Sequence, residues 1–221
     1  KSKVNTSALY PYDIVNMAYE AMFGHEGFSE RLAQSHWDNL ERVSGGKTIV
    51  VRDGSGSMIG QPLNIATSLA ILISEQLNGA FKDSFITFSA NPEIVTFDSN
   101  MSLVEKLRVT DRYNDYLNTD IKKVYDLIFK TMKKNPETEL DNIIIISDME
   151  FDRGADNVPT YESLKNKFDS IGKKVPTIVF WNADARDVHF PTTDLEYVQL
   201  VSGASHHIIK SIFSGNYNLD A

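Results

Sequence analysis

The chain has 221 residues, 42% hydrophobic and 24% charged, and it contains no cysteine. These values are typical of a globular protein that buries a core without cross-links, and the lack of cysteine excludes disulfides and thiolate metal sites. The formal net charge of −8 argues against a surface that neutralises phosphates, so we expect no direct nucleic-acid binding by this chain.

Neither a membrane segment nor a signal peptide is predicted. No stretch approaches the roughly 20 apolar residues that a membrane-spanning helix needs, and Lys1-Ser2-Lys3-Val4-Asn5 lacks the apolar core of a signal peptide. Together with the missing cysteines, this predicts a cytoplasmic protein without a membrane partner. Because the sequence does not begin with methionine, we expect it to be a piece of a longer protein.

The first 46 residues are predicted to form helices that lie outside any sheet. One helix is expected over 12–23, with Pro11 suited to its first turn, and a second, capped by Ser29, over 29–43. Aromatic side chains are expected to pack between these helices and the domain that follows; they are Trp37, Trp181, Tyr10, Tyr12 and Tyr19. We therefore treat 1–46 as an N-terminal helical extension, the end of an upstream helical region.

After this extension, strand and helix patterns alternate. Strands are predicted at 48–52, 84–88, 93–97, 142–147, 175–181 and 196–201, and helices at 62–78, 102–108, 118–134, 160–171 and 204–213. Continuous apolar runs such as Ile143-Ile144-Ile145-Ile146 are typical of central parallel strands, whereas Ser89-Ala90-Asn91-Pro92 predicts a hairpin and one antiparallel edge strand. The pattern predicts an α/β fold with a doubly wound, mostly parallel sheet over 47–215, followed by a tail at 216–221.

A loop rich in glycine and serine follows the first predicted strand: Asp53-Gly54-Ser55-Gly56-Ser57-Met58. In open α/β sheets, ligands bind at the carboxyl ends of the strands. One carboxylate with two hydroxyls is an all-oxygen set that suits a hard divalent cation such as Mg²⁺ or Mn²⁺. Taken by itself, the loop also fits a plain turn between a strand and a helix.

Asp53-x-Ser55-x-Ser57 resembles the first loop of a von Willebrand factor A (vWA) domain, whose metal ion-dependent adhesion site (MIDAS) begins Asp-x-Ser-x-Ser. The longer run from Asp53 to Pro62 is similar to the intracellular and microbial branch of that family. The resemblance covers roughly 47–215 and implies a Rossmann-like fold. It also implies that two further loops complete the metal site, one with a threonine and one with an aspartate after a later strand.

Asp148 is the candidate for the later aspartate, since it directly follows the isoleucine run and Ser147. Ser147-Asp148-Met149-Glu150 is similar to the third-loop pattern Thr-Asp-Gly-Glu of the family, with Met149 in place of glycine, which leaves the geometry of this loop open. A cap or turn is the alternative role of Asp148. Glu150 is either a hydrogen-bond partner of a metal-bound water or a solvated loop charge.

Thr119 is the candidate for the threonine of the second loop. It lies at the start of a predicted helix, and Asn118 stands where the family often has glycine. Thr110, which is also followed by an aspartate, is the competing residue. A helix N-cap is the alternative role of Thr119, and the two roles are compatible.

The resemblance further implies how the ligands divide their work. Asp53 would act through water or a hydrogen bond, Ser55 and Ser57 would bind the ion directly, and Thr119 and Asp148 would alternate between direct and water-mediated contact. An open coordination position would then accept a carboxylate from a protein partner. Mg²⁺ or Mn²⁺ is the expected ion, and Ca²⁺ also accepts oxygen ligands.

Three functions follow from these features. The leading one is a non-enzymatic, metal-dependent protein-interaction module. A metal-dependent phosphoester hydrolase would need a second aspartate two residues after Asp53, where Ser55 stands, and the sequence has no phosphate-binding loop or nucleophile elbow. Helices before such a domain are similar to the Ro ribonucleoprotein (TROVE-type) architecture and to a family of uncharacterised proteins, which implies an adaptor with RNA contacts in an upstream region.

Overall fold

The computed structural model describes residues 9–43, 46–114, 120–148, 159–184, 198–203 and 207–214. Within these ranges the strands are β1 Thr48–Asp53, β2 Ser84–Phe88, β3 Ile94–Thr96, β4 Asn142–Ser147, β5 Thr177–Asn182 and β6 Val198–Ser202. The helices are α1 Pro11–Met22, α2 Glu30–Asp38, α3 Gln61–Ser74, α4 Leu103–Asp111, α5 Ile121–Lys134, α6 Tyr161–Asp169 and α7 His207–Phe213. No helix in these ranges is both long and apolar enough to cross a membrane.

The six strands form one sheet in the order β3-β2-β1-β4-β5-β6. The pairs β1–β2, β1–β4, β4–β5 and β5–β6 are parallel, and β2–β3 is antiparallel. This confirms the predicted α/β fold with one antiparallel edge strand. Since β2 lies on one side of β1 and β4 on the other, the chain changes direction across the sheet at β1, and a crevice opens there at the carboxyl ends of the strands.

The core lies around the two central strands and the helix that covers them. Every residue of β1 and β4 is buried, which explains the continuous apolar runs in their sequence. Residues 65–74 of α3 are all buried as well, because α3 packs on β1 and β2 with one face and receives α1 on the other. A helix buried all round needs small and apolar residues on every side, as α3 has.

The N-terminal helices pack directly on this domain, as predicted. Ile14, Val15 and Ala18 of α1 and Trp37 of α2 are buried, with α1 against α3 and α2 against α4. The expected role of Trp181 as part of this packing is wrong in one respect. It lies in β5, and its indole N–H donates to the Gly203 carbonyl after β6 at 2.7 Å, so its hydrogen bond ties two strands together.

Helix α2 ends at Asp38, five residues before the predicted end near Val43. Side chains provide the physical reason, because they take the carbonyls at the end of the helix. The Asn39 amide donates to the Ser35 carbonyl at 2.8 Å, and the Arg42 guanidinium donates to the Trp37 carbonyl at 2.8 Å. These bonds satisfy carbonyls that would otherwise lack a partner at a helix terminus. At its start, the predicted Ser29 cap is confirmed, since its hydroxyl accepts from Leu32 N at 3.3 Å.

Candidate metal centre

The carboxyl ends of β1 and β4 bring two predicted site residues together. Asp53 ends β1 and is 2% exposed, and Asp148 follows β4 and is 7% exposed. Between them, the Ser147 hydroxyl donates to Asp53 Oδ2 at 2.6 Å. The polar groups therefore meet at the crevice between β1 and β4, where the strand order places a ligand.

The loop after β1 folds around the Asp53 carboxylate. The Ser55 backbone N–H donates to Asp53 Oδ1 at 2.9 Å, and the Ser55 and Ser57 hydroxyl oxygens lie 3.2 Å apart. Ser55 is partly buried, whereas Ser57 is exposed. A short 3₁₀ turn, Gly56–Met58, closes the loop through a Met58 N–H to Ser55 carbonyl bond of 3.1 Å. Two hydroxyl oxygens thus lie side by side at the surface, above a buried carboxylate.

Met58 joins this loop to Asp148. Its side chain is fully buried, and its sulfur accepts the Asp148 backbone N–H at 3.1 Å. A thioether is a weak acceptor, but it also fills the space between the two segments. The backbone of Asp148 is therefore held by a residue of the same Asp53 to Met58 loop that carries the two serines.

Burial raises the pKa of the Asp53 carboxyl above its usual range. Hydrogen bonds from Ser147 and Ser55 act in the opposite direction, because they favour the charged form, and the negative charge of Asp148 raises the pKa further. Two carboxylates that share a buried site repel each other, and a divalent cation would relieve that repulsion. In the described part of the chain, no three His, Cys, Asp or Glu side chains gather in one cluster. A cation at this site would therefore depend on hydroxyl oxygens as well as carboxylates. The described candidate ligands are Asp53, Ser55, Ser57 and Asp148.

Three predicted site residues, Asn118, Thr119 and Glu150, lie outside the described residues. The N-cap of α5, the alternative role considered for Thr119, is Asp120, because α5 begins at Ile121 and the Asp120 side chain accepts from Lys123 N at 3.1 Å. The competing residue, Thr110, is fully buried inside α4, where its hydroxyl donates to the Lys106 carbonyl at 2.8 Å. Thr110 therefore serves its own helix.

Sequence reasoning missed two residues that organise this site, Ser147 and Met58. Ser147 had a signal that could have revealed it, since it ends a strand adjacent to β1 and so lies beside Asp53 at the same edge of the sheet. Met58 had none, because a methionine after Ser57 is equally suited to ordinary core packing.

Gly54 is required by a close approach of two backbone segments. A Cβ at this position would lie 2.8 Å from the Tyr113 carbonyl oxygen, a main-chain atom that cannot move cheaply. We expect Gly54→Ala to lower the free energy of unfolding by about 2 kcal/mol, through overpacking. Urea denaturation followed by circular dichroism measures this value.

Gly172→Ala is the matched control for Gly54→Ala. Gly172 has a positive φ of 67°, but no heavy atom lies within 4 Å of a Cβ placed there, so the substitution costs about 1 kcal/mol of conformational strain alone. An effect of Gly54→Ala no larger than that of this control would contradict the close contact between the loop and Tyr113.

Comparison with known proteins identifies relatives of this chain. The family model described as "Domain of unknown function (DUF7788)" matches residues 47–220. The protein described as "Uncharacterized protein L728" of Acanthamoeba polyphaga mimivirus is 29% identical over 229 residues, which cover 97% of this chain and 38% of that protein. This chain thus spans well under half the length of that relative.

Solved structures resemble this chain to different degrees. The crystal structure of the Ro (RSR) protein of Deinococcus radiodurans matches with a TM-score of 0.63 and 13% identity, over 96% of this chain and 46% of that one. Proximal thread matrix protein 1 from the mussel byssus matches with a TM-score of 0.48 and 12% identity, over 81% of this chain and 49% of that one. At such identities, the likeness to the Ro protein extends to the fold alone.

Proposed function

Since this chain belongs to the DUF7788 family, whose domain has no known function, we propose a function from its own residues: it is a non-enzymatic protein-interaction module that presents a divalent cation to an acidic side chain of a partner. The vWA-like fold supports this proposal, since such a fold places its ligand site at the carboxyl ends of adjacent strands where the strand order reverses, here β1 and β4. The module would work in the cytoplasm, and a cysteine-free sequence suits a reducing compartment.

One observation carries the proposal: the paired hydroxyls of Ser55 and Ser57, 3.2 Å apart, beside the buried Asp53 carboxylate. Both Asp53 oxygens already accept a hydrogen bond, one from Ser55 N and the other from Ser147 Oγ. Asp53 therefore suits the role of organising the loop, and the paired Ser55 and Ser57 hydroxyl oxygens suit direct contact with the ion. Few formal charges would then touch the cation, which keeps it attractive to a carboxylate from outside.

Mg²⁺ or Mn²⁺ fits this donor set best, and Ca²⁺ is an acceptable substitute, because all three ions prefer oxygen ligands. Asp148 would contribute from the other side of the crevice. We assign the remaining contacts to Thr119, with Asn118 and Glu150 as hydrogen-bond partners of metal-bound water. These assignments rest on the likeness of their sequence pattern to a MIDAS.

A phosphoester hydrolase is the weaker alternative. Phosphoryl transfer through Asp53 would need an acid or base within reach, and the position two residues later holds Ser55. The described residues at this edge supply carboxylates and hydroxyls, which are oxygen ligands suited to a hard cation. Binding without turnover is therefore the function that we propose.

A second candidate function is an adaptor in a Ro-like ribonucleoprotein. The likeness to the Ro structure covers 96% of this chain, and so includes the N-terminal helices. In this proposal RNA would contact other parts of the assembly, since the chain carries a net charge of −8. RNA binding by this chain itself, with a steep salt dependence in a mobility-shift assay, would contradict it.

Thermal unfolding in EDTA and in increasing Mn²⁺ tests the metal proposal, since a ligand that binds only the folded state must stabilise it. We expect Mn²⁺ to raise the Tm of the wild type, and Ser57→Ala to need about tenfold more Mn²⁺ for the same rise. Ser170→Ala is the matched control, because that exposed serine ends α6, which leads to the opposite edge of the sheet. If millimolar Mn²⁺, Mg²⁺ and Ca²⁺ all leave the Tm of the wild type unchanged, the metal site is refuted.

A further inference from the structure

Arg52 is a buried arginine in the centre of the sheet, one residue before Asp53. It is 1% exposed. Its Nε donates to the Thr67 hydroxyl of α3 at 3.0 Å, and its Nη2 donates to Asn114 Oδ1, just after α4, at 2.5 Å. A buried guanidinium is stable only when hydrogen-bond acceptors compensate its charge. The bonds that Arg52 makes to Thr67 and Asn114 therefore also fix the positions of these two side chains.

The guanidinium, the segment after α4 and the loop after β1 meet at one point. A Cβ on Gly54 would lie 3.2 Å from Arg52 Nη1, 3.4 Å from Asn114 Cα and 2.8 Å from the Tyr113 carbonyl oxygen. Gly54 is the residue between the Asp53 carboxylate and Ser55. The segment after α4, which Arg52 holds through Asn114, therefore packs directly against the loop after β1 at Gly54.

Helix α1 also contacts the end of α4. The Tyr19 hydroxyl of α1 donates to Asp111 Oδ1, at the end of α4, at 2.7 Å. Burial and this bond raise the pKa of Tyr19, whereas the positive charge of Arg52 lowers it. The end of α4 is thus held from α1 and from β1 together.

We propose that Arg52 is a positioning residue of the metal site, which acts through Asn114 to hold the segment after α4 against Gly54. This contact fixes the backbone that presents the Ser55 and Ser57 hydroxyls. The inference rests on the proposed function, since it requires those hydroxyls to bind a cation. Hydrogen-bond partners behind metal ligands commonly control affinity by about 10- to 100-fold.

Two acceptors of Arg52, Thr67 and Asn114, allow a test with an internal control. Thr67→Val removes the buried acceptor on α3, and Asn114→Ala removes the partly exposed acceptor beside Gly54. Because Arg52 is buried, water cannot replace the Thr67 hydroxyl as the acceptor of the Nε–H group. Thr67→Val is therefore expected to be the more destabilising change. If Arg52 positions the metal loop, the two variants rank differently for metal affinity than for stability. Asn114→Ala then weakens metal binding more than Thr67→Val does.

The experiment measures the Kd for Mn²⁺ by electron paramagnetic resonance of the free ion, and stability by urea denaturation in EDTA. We expect Asn114→Ala to weaken Mn²⁺ binding about tenfold and Thr67→Val to change it less than about twofold. In an Arg52→Met background, Asn114→Ala should add no further loss, as a double-mutant cycle requires for coupled residues.

The failures of the two proposals are distinguishable. A wild type that binds Mn²⁺ while Asn114→Ala and Thr67→Val share its Kd would overturn the positioning role and leave the metal site standing. Equal weakening by both variants would overturn it too, because affinity would then merely follow stability. A wild type that binds no Mn²⁺ would overturn the metal site and this inference together.

Discussion

In EDTA at pH 7, the Asp53→Asn variant should be more stable than the wild type, yet gain nothing from Mg²⁺ or Mn²⁺. Asparagine has the shape of aspartate and can still accept from Ser55 N, while its amide can donate to the Ser147 oxygen. It removes a buried negative charge beside Asp148. We expect the free energy of unfolding to rise by about 1 kcal/mol and all metal-dependent stabilisation to disappear.

The pH dependence of this difference follows from the pKa of Asp53. Burial raises that pKa in the folded state above the 3.8 of a free aspartate. Below 3.8 both states of the wild type carry a protonated Asp53, and the charge costs nothing. As the pH rises through the raised folded pKa, the unfolded state is already ionised, so the wild type loses stability relative to Asp53→Asn. The advantage of the variant should therefore grow from acid to neutral pH.

Urea denaturation of both proteins in EDTA between pH 4 and 7, followed by thermal unfolding with Mn²⁺, measures both effects. Asp98→Asn is the matched control, because exposed Asp98 accepts the same kind of bond from Asn100 N, at 2.9 Å, without burial of its charge. A variant less stable than the wild type at pH 7 would show that the Asp53 charge serves the fold rather than a ligand.

The fold was predictable because its strands and helices differ sharply in pattern. The isoleucine run predicts that β4 is a central strand, and the residues between β2 and β3 predict a hairpin. The sheet order confirms both predictions. Helix ends were harder to predict. The end of α2 depends on Asn39 and Arg42 donating to its carbonyls, and such contacts leave no periodic signal in the sequence.

The candidate site was predictable to the extent that its residues lie next to each other in the chain. Asp53, Ser55 and Ser57 form one short motif, and Asp148 directly follows a strand. The contacts behind them are distant in sequence: Ser147 reaches Asp53 across 94 positions, and Arg52 reaches Asn114 across 62. Such pairs depend on which strands and helices become neighbours, which a motif does not encode.

Glu75 is expected to be the most costly carboxylate to remove from this protein. It caps the end of α3 and joins three elements: Lys106 Nζ of α4 lies 2.8 Å from it, Arg42 Nη2 2.9 Å and the Trp37 indole nitrogen 3.0 Å. The side chain of Glu75 is 16% exposed and that of Lys106 only 7%. Glu75 therefore neutralises a buried ammonium group and holds α2 against the sheet domain.

Glu75→Ala should lower the free energy of unfolding by about 3 kcal/mol, because it strands the Lys106 charge in a buried position. Asp169→Ala is the control, since it breaks the Lys165–Asp169 pair, whose side chains are both more than half exposed, and should cost about 0.3–0.5 kcal/mol. Urea denaturation gives both values, and hydrogen exchange should show α2 losing protection first in Glu75→Ala. Similar losses for the two variants would mean that the N-terminal helices depend on apolar packing alone, and that the buried Lys106 charge finds another partner.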